Sequence, residues 1–271
     1  MHTDISVVMP MYNIEEEYLR ASIESLLSQT KREGVELIIT DDGSTNGCGL
    51  IADEYALLHK NIQVIHTKNS GAGPARNTAI NKAKGKYLAF LDADDIMVSD
   101  ALEKMFERGE HDCSEIVMIN ATRFNSEKES QAFIHKNTFR NLKGVTNVSQ
   151  SPQLIYDTVS WDKLILRDFW MRNKLEYPPT SLYEDIPVMT KALLRAERIS
   201  IIRSIGYKWR FREQDSKSTT QKRGDIENLR GRLEIMRDLD KMYAEEVSEE
   251  AILLEKEVKA LKVDLKIYAH A

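Results

Sequence analysis

Four times in the first hundred residues a short apolar stretch runs straight into a polar cluster, and helix-length segments separate the four. Ile5 to Met9 leads into Pro10-Met11-Tyr12-Asn13, and Val35 to Thr40 into Asp41-Asp42-Gly43-Ser44. Ile62 to Thr67 opens onto Asn69-Ser70-Gly71-Ala72-Gly73-Pro74, and Tyr87 to Leu91 delivers the chain to Asp92-Ala93-Asp94-Asp95. Short buried strands alternating with helices predict an α/β fold with a mainly parallel sheet and helices on both faces. In such sheets the ligand crevice lies beyond the carboxyl ends of the strands. All four polar clusters share that address.

The intervening segments carry helix signals. Asn13 reads as an N-cap with Glu16 three residues on, and Leu19, Ile23, Leu26 and Leu27 fall on one face. Leu50, Ile51, Tyr55 and Leu58 suggest a second helix, and Pro74 suits the first turn of a third that runs to about Ala83. Ile116 to Asn120 reads as a fifth strand. Beyond it the alternation stops, and residues 121–180 are irregular. From Ile226 the chain is charged and helical, with Leu254, Val258, Leu261, Leu265 and Tyr268 at heptad-like spacing. A helix packed on its own domain accounts for that seam; a self-associating or membrane-surface helix is the alternative. These changes of character divide the chain into a domain over 1–222, with halves at about 1–120 and 121–222, and a helical segment over 223–271.

Composition narrows the function class. Net charge is −5, without the basic footprint of a nucleic-acid binder. Cys48 and Cys113 lack metal-type spacing and fit a reducing compartment. There is neither a signal-peptide pattern nor an apolar run of transmembrane length, so a cytoplasmic location is expected. Asn120-Ala121-Thr122 and Asn147-Val148-Ser149 are then chance matches to the glycan-acceptor triplet.

Asp92, Asp94 and Asp95 place three carboxylates in four residues, and like charges this close call for a cation. Oxygen donors favour Mg²⁺ or Mn²⁺, held by one or two carboxylates plus substrate phosphates. A solvated turn capping the helix near Ser99 to Phe106 is the bland reading. Asp41 and Asp42 could accept hydrogen bonds from a base or ribose, or simply shape a turn. The Gly71–Gly73 loop fails as a dinucleotide fingerprint because Arg76 stands where a third glycine is needed. Its glycines suit close passage of backbone past a nucleotide.

Taken in order, Ser6-Val7-Val8-Met9-Pro10-Met11-Tyr12-Asn13, Asp41-Asp42-Gly43-Ser44, Asn69-Ser70-Gly71 to Ala75-Arg76-Asn77 and Phe90-Leu91-Asp92-Ala93-Asp94-Asp95 resemble the family-2 glycosyltransferases with the GT-A fold, of bacterial cell-surface polysaccharide or teichoic-acid type. Ser160-Trp161-Asp162-Lys163-Leu164 and Tyr183-Glu184-Asp185 continue the likeness in scattered form. The resemblance implies a UDP-sugar donor. Pro10, Tyr12, Asp41, Asp42, Asn69 and Arg76 would lie against the base and ribose. Asp92, with Ala93, would meet the ribose or donor sugar, Asp94 would reach the metal, and Asp185 would be the catalytic base. Trp161, Glu184, Arg210, Arg212 and Ser216 are candidates for the acceptor side or a closing loop. Arg203 to Arg223 sets seven basic residues against two acidic ones, consistent with an anionic partner or a solvated face. The implied activity is an inverting, metal-dependent transfer of a hexose to a hydroxyl of a cell-surface glycan, polymer or glycolipid. The alternative is a non-catalytic sugar-nucleotide-binding or assembly subunit. Peripheral contact with the inner face of a membrane, or a homo-oligomer, would use the C-terminal helices.

Overall fold

The computed structural model describes residues 2–131, 135, 136, 138, 139, 142–179, 182–211 and 226–265. Its organising element is β1 (Ile5–Met11), buried except at Pro10 and paired in parallel with β2 (Val35–Asp41). Outside β2 lies β3 (Ile62–His66), and on the other side of β1 lies β4 (Tyr87–Phe90), both parallel. Pro10, expected to end the first strand, sits inside it opposite Thr40. Val8 accepts from Leu91 N–H on the β4 side, so Pro10, two residues on, faces that side after β4 has ended. Its missing N–H therefore costs no ladder bond.

Helices α1 (Glu16–Leu27), α2 (Cys48–Leu58) and α3 (Ala72–Ile80) connect these strands. Asn13 is not the cap of α1; Glu15 holds that position. Asn13 instead takes a left-handed turn (φ 48°), which Asn tolerates better than most residues. Its N–H donates to Ser44 Oγ (3.0 Å) and its Oδ1 accepts from Thr45 N–H (2.7 Å). The first two strand-end loops are thereby stitched together. In α2 the expected apolar face is also corrected: Leu50 and Leu58 are exposed, while Cys48, Gly49, Ala52 and Tyr55 pack inward.

β5 (Ile96–Met97) follows the acidic cluster and leads to α4 (Ala101–Asp112). β6 (Ile116–Phe124) extends further than expected, with β7 (Glu129–Ser130) beside it. The segment that looked irregular then supplies β8 (Gly144–Thr146), a 3₁₀ turn (Pro152–Tyr156), β9 (Lys163–Leu166) and α5 (Arg167–Arg172). After α6 (Asp185–Arg195) comes the long, bulged β10 (Ile199–Arg210).

Among the described residues the strands form one ten-stranded sheet in the order β3-β2-β1-β4-β9-β6-β10-β5. The first four are parallel, as are β6 and β10, but β9 is wedged antiparallel between β4 and β6. Both faces are covered. Val7 and Met9 pack with Leu19, Ile23, Leu102 and Met105 on one side; Val8 and Ile38 pack with Ala79, Ile80, Met189 and Leu193 on the other.

Helices α7 (Ile226–Glu246) and α8 (Glu250–Lys259) close the described chain, followed by a single π turn (Ala260–Asp264). Ile235, Leu239, Tyr243 and Ile252 join the core beside α6. The heptad-like seam does not: Leu254, Leu261 and Leu265 are exposed, and Tyr268 lies outside the described residues. No described helix is long and apolar enough to cross a membrane.

Where β9 begins, Lys163 is completely buried. Its Nζ donates to Asp157 Oδ1 (3.0 Å), Asp162 Oδ1 (2.6 Å) and Val159 O (2.7 Å). Burial alone would push the Asp162 carboxyl up, but Lys163 and His135 hold it down at about 2. Removing the ammonium would strand two buried carboxylates. Lys163→Met should therefore lower the unfolding free energy by about 3–5 kcal/mol in urea titration, and a loss below about 1 kcal/mol would show that the cluster does not anchor this strand.

Candidate active site

The carboxyl ends of β1, β2 and β4 meet above the sheet, and each expected residue can be followed there. Tyr12 is half-exposed at the end of β1. Asp41 and Asp42, both buried, have separated tasks. Asp41 Oδ1 accepts from Ser44 N–H (3.0 Å), and its Oδ2 meets His66 Nδ1 at 2.9 Å. Asp42 Oδ1 accepts from Ser70 N–H (2.9 Å) and Oδ2 from Gly71 N–H (2.8 Å). Asp42, expected at the base and ribose, holds with its two oxygens the loop after β3, which carries the exposed Asn69. Gly43 makes this possible: it has φ 77°, and a Cβ there would lie 2.9 Å from Asn69 N.

In the next loop Gly73 serves protein packing. A Cβ on Gly73 would meet Pro178 O at 2.7 Å, so its absence lets α3 lie against Tyr177, Pro178 and Glu184. That approach brings Arg76 to Glu184 and Asp185 across the chain. Arg76, expected at the base and ribose, is only 4% exposed and lies among carboxylates. NH2 donates to Asp92 Oδ1 (2.8 Å) and NH1 to Glu184 Oε1 (2.6 Å), while NH1 also stands 3.3 Å from Asp185 Oδ1. Burial disfavours the charged guanidinium, but these carboxylates hold its pKa well above the ordinary value.

Asp185 opens α6 without capping it through its side chain. Its Oδ2 accepts from Ser160 N–H (3.2 Å). Burial, with Glu184 and Asp92 nearby, outweighs Arg76 and raises its carboxyl to about 7. A carboxylate that titrates near neutrality beside a cleft is suited to taking a proton from a hydroxyl.

The Asp92–Asp95 turn is braced from β10. The Tyr207 hydroxyl accepts from Asp92 N–H (3.1 Å) and donates to Asp95 Oδ2 (2.8 Å). Arg210 N–H donates to Asp95 Oδ1 (2.7 Å), and its Nε donates to Asp94 O (2.7 Å). The Arg210 guanidinium also lies over the rings of Tyr18 and Phe124, 4.4 and 4.6 Å from their centroids. Asp95 thus shapes the turn with both oxygens engaged, while Ala93 is buried in the core and Asp94 is partly exposed. Burial, together with repulsion from Asp94 and Asp92, holds the Asp95 carboxyl well above its ordinary value. The side chains of Asp92, Asp94 and Asp95 offer only carboxylate oxygens, the donor type that hard divalent cations take. His135, Asp157 and Asp162 also approach one another within metal-binding reach, but Lys163 already supplies the cation there.

Trp161, which the sequence left open between stacking on a sugar and lying in the core, lies in the core. It is 8% exposed, stacked on Tyr207 (centroids 4.5 Å, 17°) and on His135 (5.2 Å, 29°). Arg212 and Ser216 lie outside the described residues. Sequence reasoning missed Tyr207 and His66. The parallel register sets His66 directly opposite Asp41 and was the one signal available for it.

The family is decided by comparison with known proteins. The family model for glycosyl transferase family 2 matches residues 6–170, more than half of the chain. The chain belongs to that family. It is 29% identical over 202 residues to the uncharacterized glycosyltransferase EpsJ of Bacillus subtilis, covering 73% of this chain and 58% of EpsJ. It is 31% identical over 207 residues to the poly(ribitol-phosphate) beta-glucosyltransferase of Bacillus spizizenii, covering 75% of this chain and 31% of that protein. The chain therefore spans less than two thirds of these relatives. Among solved structures it resembles S. aureus TarS 1-349 in complex with UDP-GlcNAc, with TM-score 0.80, 23% identity, and 97% of this chain and 74% of that one covered. A mannosyltransferase from Pyrobaculum calidifontis in complex with GDP-Man and Mn²⁺ aligns with TM-score 0.67 and 16% identity, over 99% of this chain and 73% of that one. The fold is that of the GT-A glycosyltransferases, with a helical C-terminal region.

The Tyr207 hydroxyl is the smallest group whose removal tests the bracing of the turn. Tyr207→Phe leaves the buried Asp95 Oδ2 without its donor, so stability should fall by about 1–3 kcal/mol in thermal or urea unfolding. A variant as stable as wild type would show that the phenol is not part of the turn's support.

Proposed function

We propose that the chain is an inverting glycosyltransferase that moves a sugar from a UDP-sugar to a hydroxyl of a cell-surface glycan, polymer or glycolipid. The single observation that carries this reading is the Arg76 bridge. It joins Asp92, at the donor-side strand end, to Asp185, a carboxyl of raised pKa on the opposite segment. Two carboxylates with separate environments, one facing a donor and one free to accept a proton, are what a single displacement needs.

In this reading Pro10, Tyr12, Asp41 and Asn69 receive the base and ribose, and Asp92 the ribose or donor sugar. Asp94 holds Mn²⁺ or Mg²⁺, which neutralises charge on the departing diphosphate. Asp185 takes the proton from the acceptor hydroxyl as its oxygen bonds to the anomeric carbon and the bond from that carbon to the diphosphate oxygen breaks. One displacement with one base inverts the anomeric centre. Arg76 orients both carboxylates and keeps its own proton throughout.

The UDP and UDP-GlcNAc complexes of TarS support a uridine nucleotide, and the poly(ribitol-phosphate) relative supports a phosphate-bearing polymer among the acceptor classes. Residues 1–120 would be the donor half and 121–222 the acceptor half, with Glu184 and Arg210 as candidates for the acceptor side. The exposed Leu254, Leu261 and Leu265 suit peripheral contact of a cytoplasmic enzyme with a membrane, or self-association.

A panel of UDP-sugars incubated with the protein, with and without Mn²⁺, tests the reading. Metal-dependent release of UDP from one donor is expected, with Asp94→Asn weakening UDP binding in Mn²⁺ by about tenfold or more. Absence of UDP binding in either condition would overturn it.

A further inference from the structure

His66 stands outside every motif described above, yet it touches one of the residues assigned to the nucleotide. Its ring lies between two carboxylates: Nδ1 is 2.9 Å from Asp41 Oδ2 at the end of β2, and Nε2 is 3.1 Å from Asp53 Oδ1 on α2. A neutral imidazole has one donor and one acceptor nitrogen, so it satisfies only one of these contacts. Both are satisfied when the ring carries two protons. The surroundings are built for this arrangement. Gly49 of α2 faces the pair, and a Cβ there would approach Asp41 Oδ2 to 2.5 Å and His66 Cε1 to 3.4 Å. Any side chain at position 49 would push Asp41 and His66 from their places.

We infer that His66 is a positioning residue for nucleotide binding, holding Asp41 in its receiving orientation while Asp53 locks the ring. The inference rests on the assignment of Asp41 to the nucleotide base and deepens it by adding a pH dependence. Asp41 has two supports. Ser44 N–H fixes Oδ1 from the loop, and His66 fixes Oδ2 from the neighbouring strand. With both in place the buried carboxylate has one orientation. When His66 becomes neutral, one of its two nitrogens faces a carboxylate as an acceptor, the ring is released from that side, and Asp41 keeps only Ser44 as a fixed donor.

The groups facing His66 are Asp41 on β2 and Asp53 on α2, and both act in one direction. The hydrogen bonds to Asp41 and Asp53 raise the imidazole above its ordinary 6.5. Burial alone would raise the Asp41 carboxyl, but Ser44 and His66 bring it below its ordinary value, so it stays ionised throughout the range in which His66 titrates. The sign follows. The two-carboxylate clamp is complete below the raised pKa of His66 and is lost as pH rises through it. Nucleotide affinity should follow the clamp, highest at the acid side and falling above 6.5.

The test is UDP binding by calorimetry in Mn²⁺ over a pH series, for the wild type, His66→Gln, Asp53→Asn and Asp41→Asn. Comparing each variant with wild type at the same pH cancels the titration of UDP itself. At the acid end His66→Gln should bind UDP about tenfold more weakly than wild type, and the difference should shrink as pH rises. Asp53→Asn should keep acid-side affinity but begin its decline at lower pH, because one of the two carboxylates that hold the proton is gone. If Asp41→Asn weakens UDP binding while His66→Gln matches wild type at every pH, the inference falls and the functional reading stands. Should wild type fail to bind UDP at any pH, both fall together.

Discussion

A single buried guanidinium holds the site together. Arg76 is closed off from solvent among Asp92, Glu184 and Asp185, with its plane 5.3 Å from the Tyr177 ring centroid. An isolated charge in that position would be prohibitive, and so would three uncompensated carboxylates. Together they are compatible, because a planar guanidinium presents several donors in fixed directions and can serve groups on different sides at once. A lysine could neutralise the same charge but could not hold three carboxylates in a set geometry. The segments that meet here are remote in sequence: α3, the end of β4 and the start of α6. Their meeting sets Asp92 beside Glu184 and Asp185.

The rest of the structure can be read as support for that meeting. Gly73 brings α3 against Tyr177, Pro178 and Glu184, and Asn77 fixes the contact from both sides, donating to Tyr177 O and accepting from Tyr177 N–H. Asp42 pins the loop that starts α3, and Asn13 ties the first loop to the second. From the far side β10 braces the Asp92–Asp95 turn through Tyr207 and Arg210. Tyr207 stacks on Trp161, which neighbours the buried Lys163 cluster at the start of β9. A chain of short contacts thus runs from the sheet's interior to the acidic turn. Few of its members face the cleft, so most of the polar residues near the site serve geometry.

Much of the donor half was legible in the sequence because it is local. Strand, polar cluster and helix follow one another within about thirty residues, and each boundary is marked by proline, glycine or a change of period. Residues whose roles depend on remote partners were not legible. Asp42 and Arg76 looked like ligand-facing groups, since nothing in the sequence shows that one would bind the Ser70–Gly71 backbone and the other three carboxylates. Trp161 could equally have been core or sugar-facing until the burial of its ring was known. The antiparallel insertion of β9 between β4 and β6 had no local signal, since the burial of Lys163 depends on Asp157 and Asp162 closing around it. The C-terminal seam misled for the opposite reason: its periodicity was real, but the face buried on the domain is marked by Ile252 and Val263 instead.

In the proposed function the site divides its labour, with the nucleotide held by the strand ends and the acceptor proton taken by Asp185. Replacing Asp185 by Asn keeps the size and hydrogen-bonding shape of the side chain but removes its basicity. Measured side by side, sugar transfer should fall by about a hundredfold or more while UDP affinity in Mn²⁺ stays near the wild-type value. Transfer within a few fold of wild type would contradict the account.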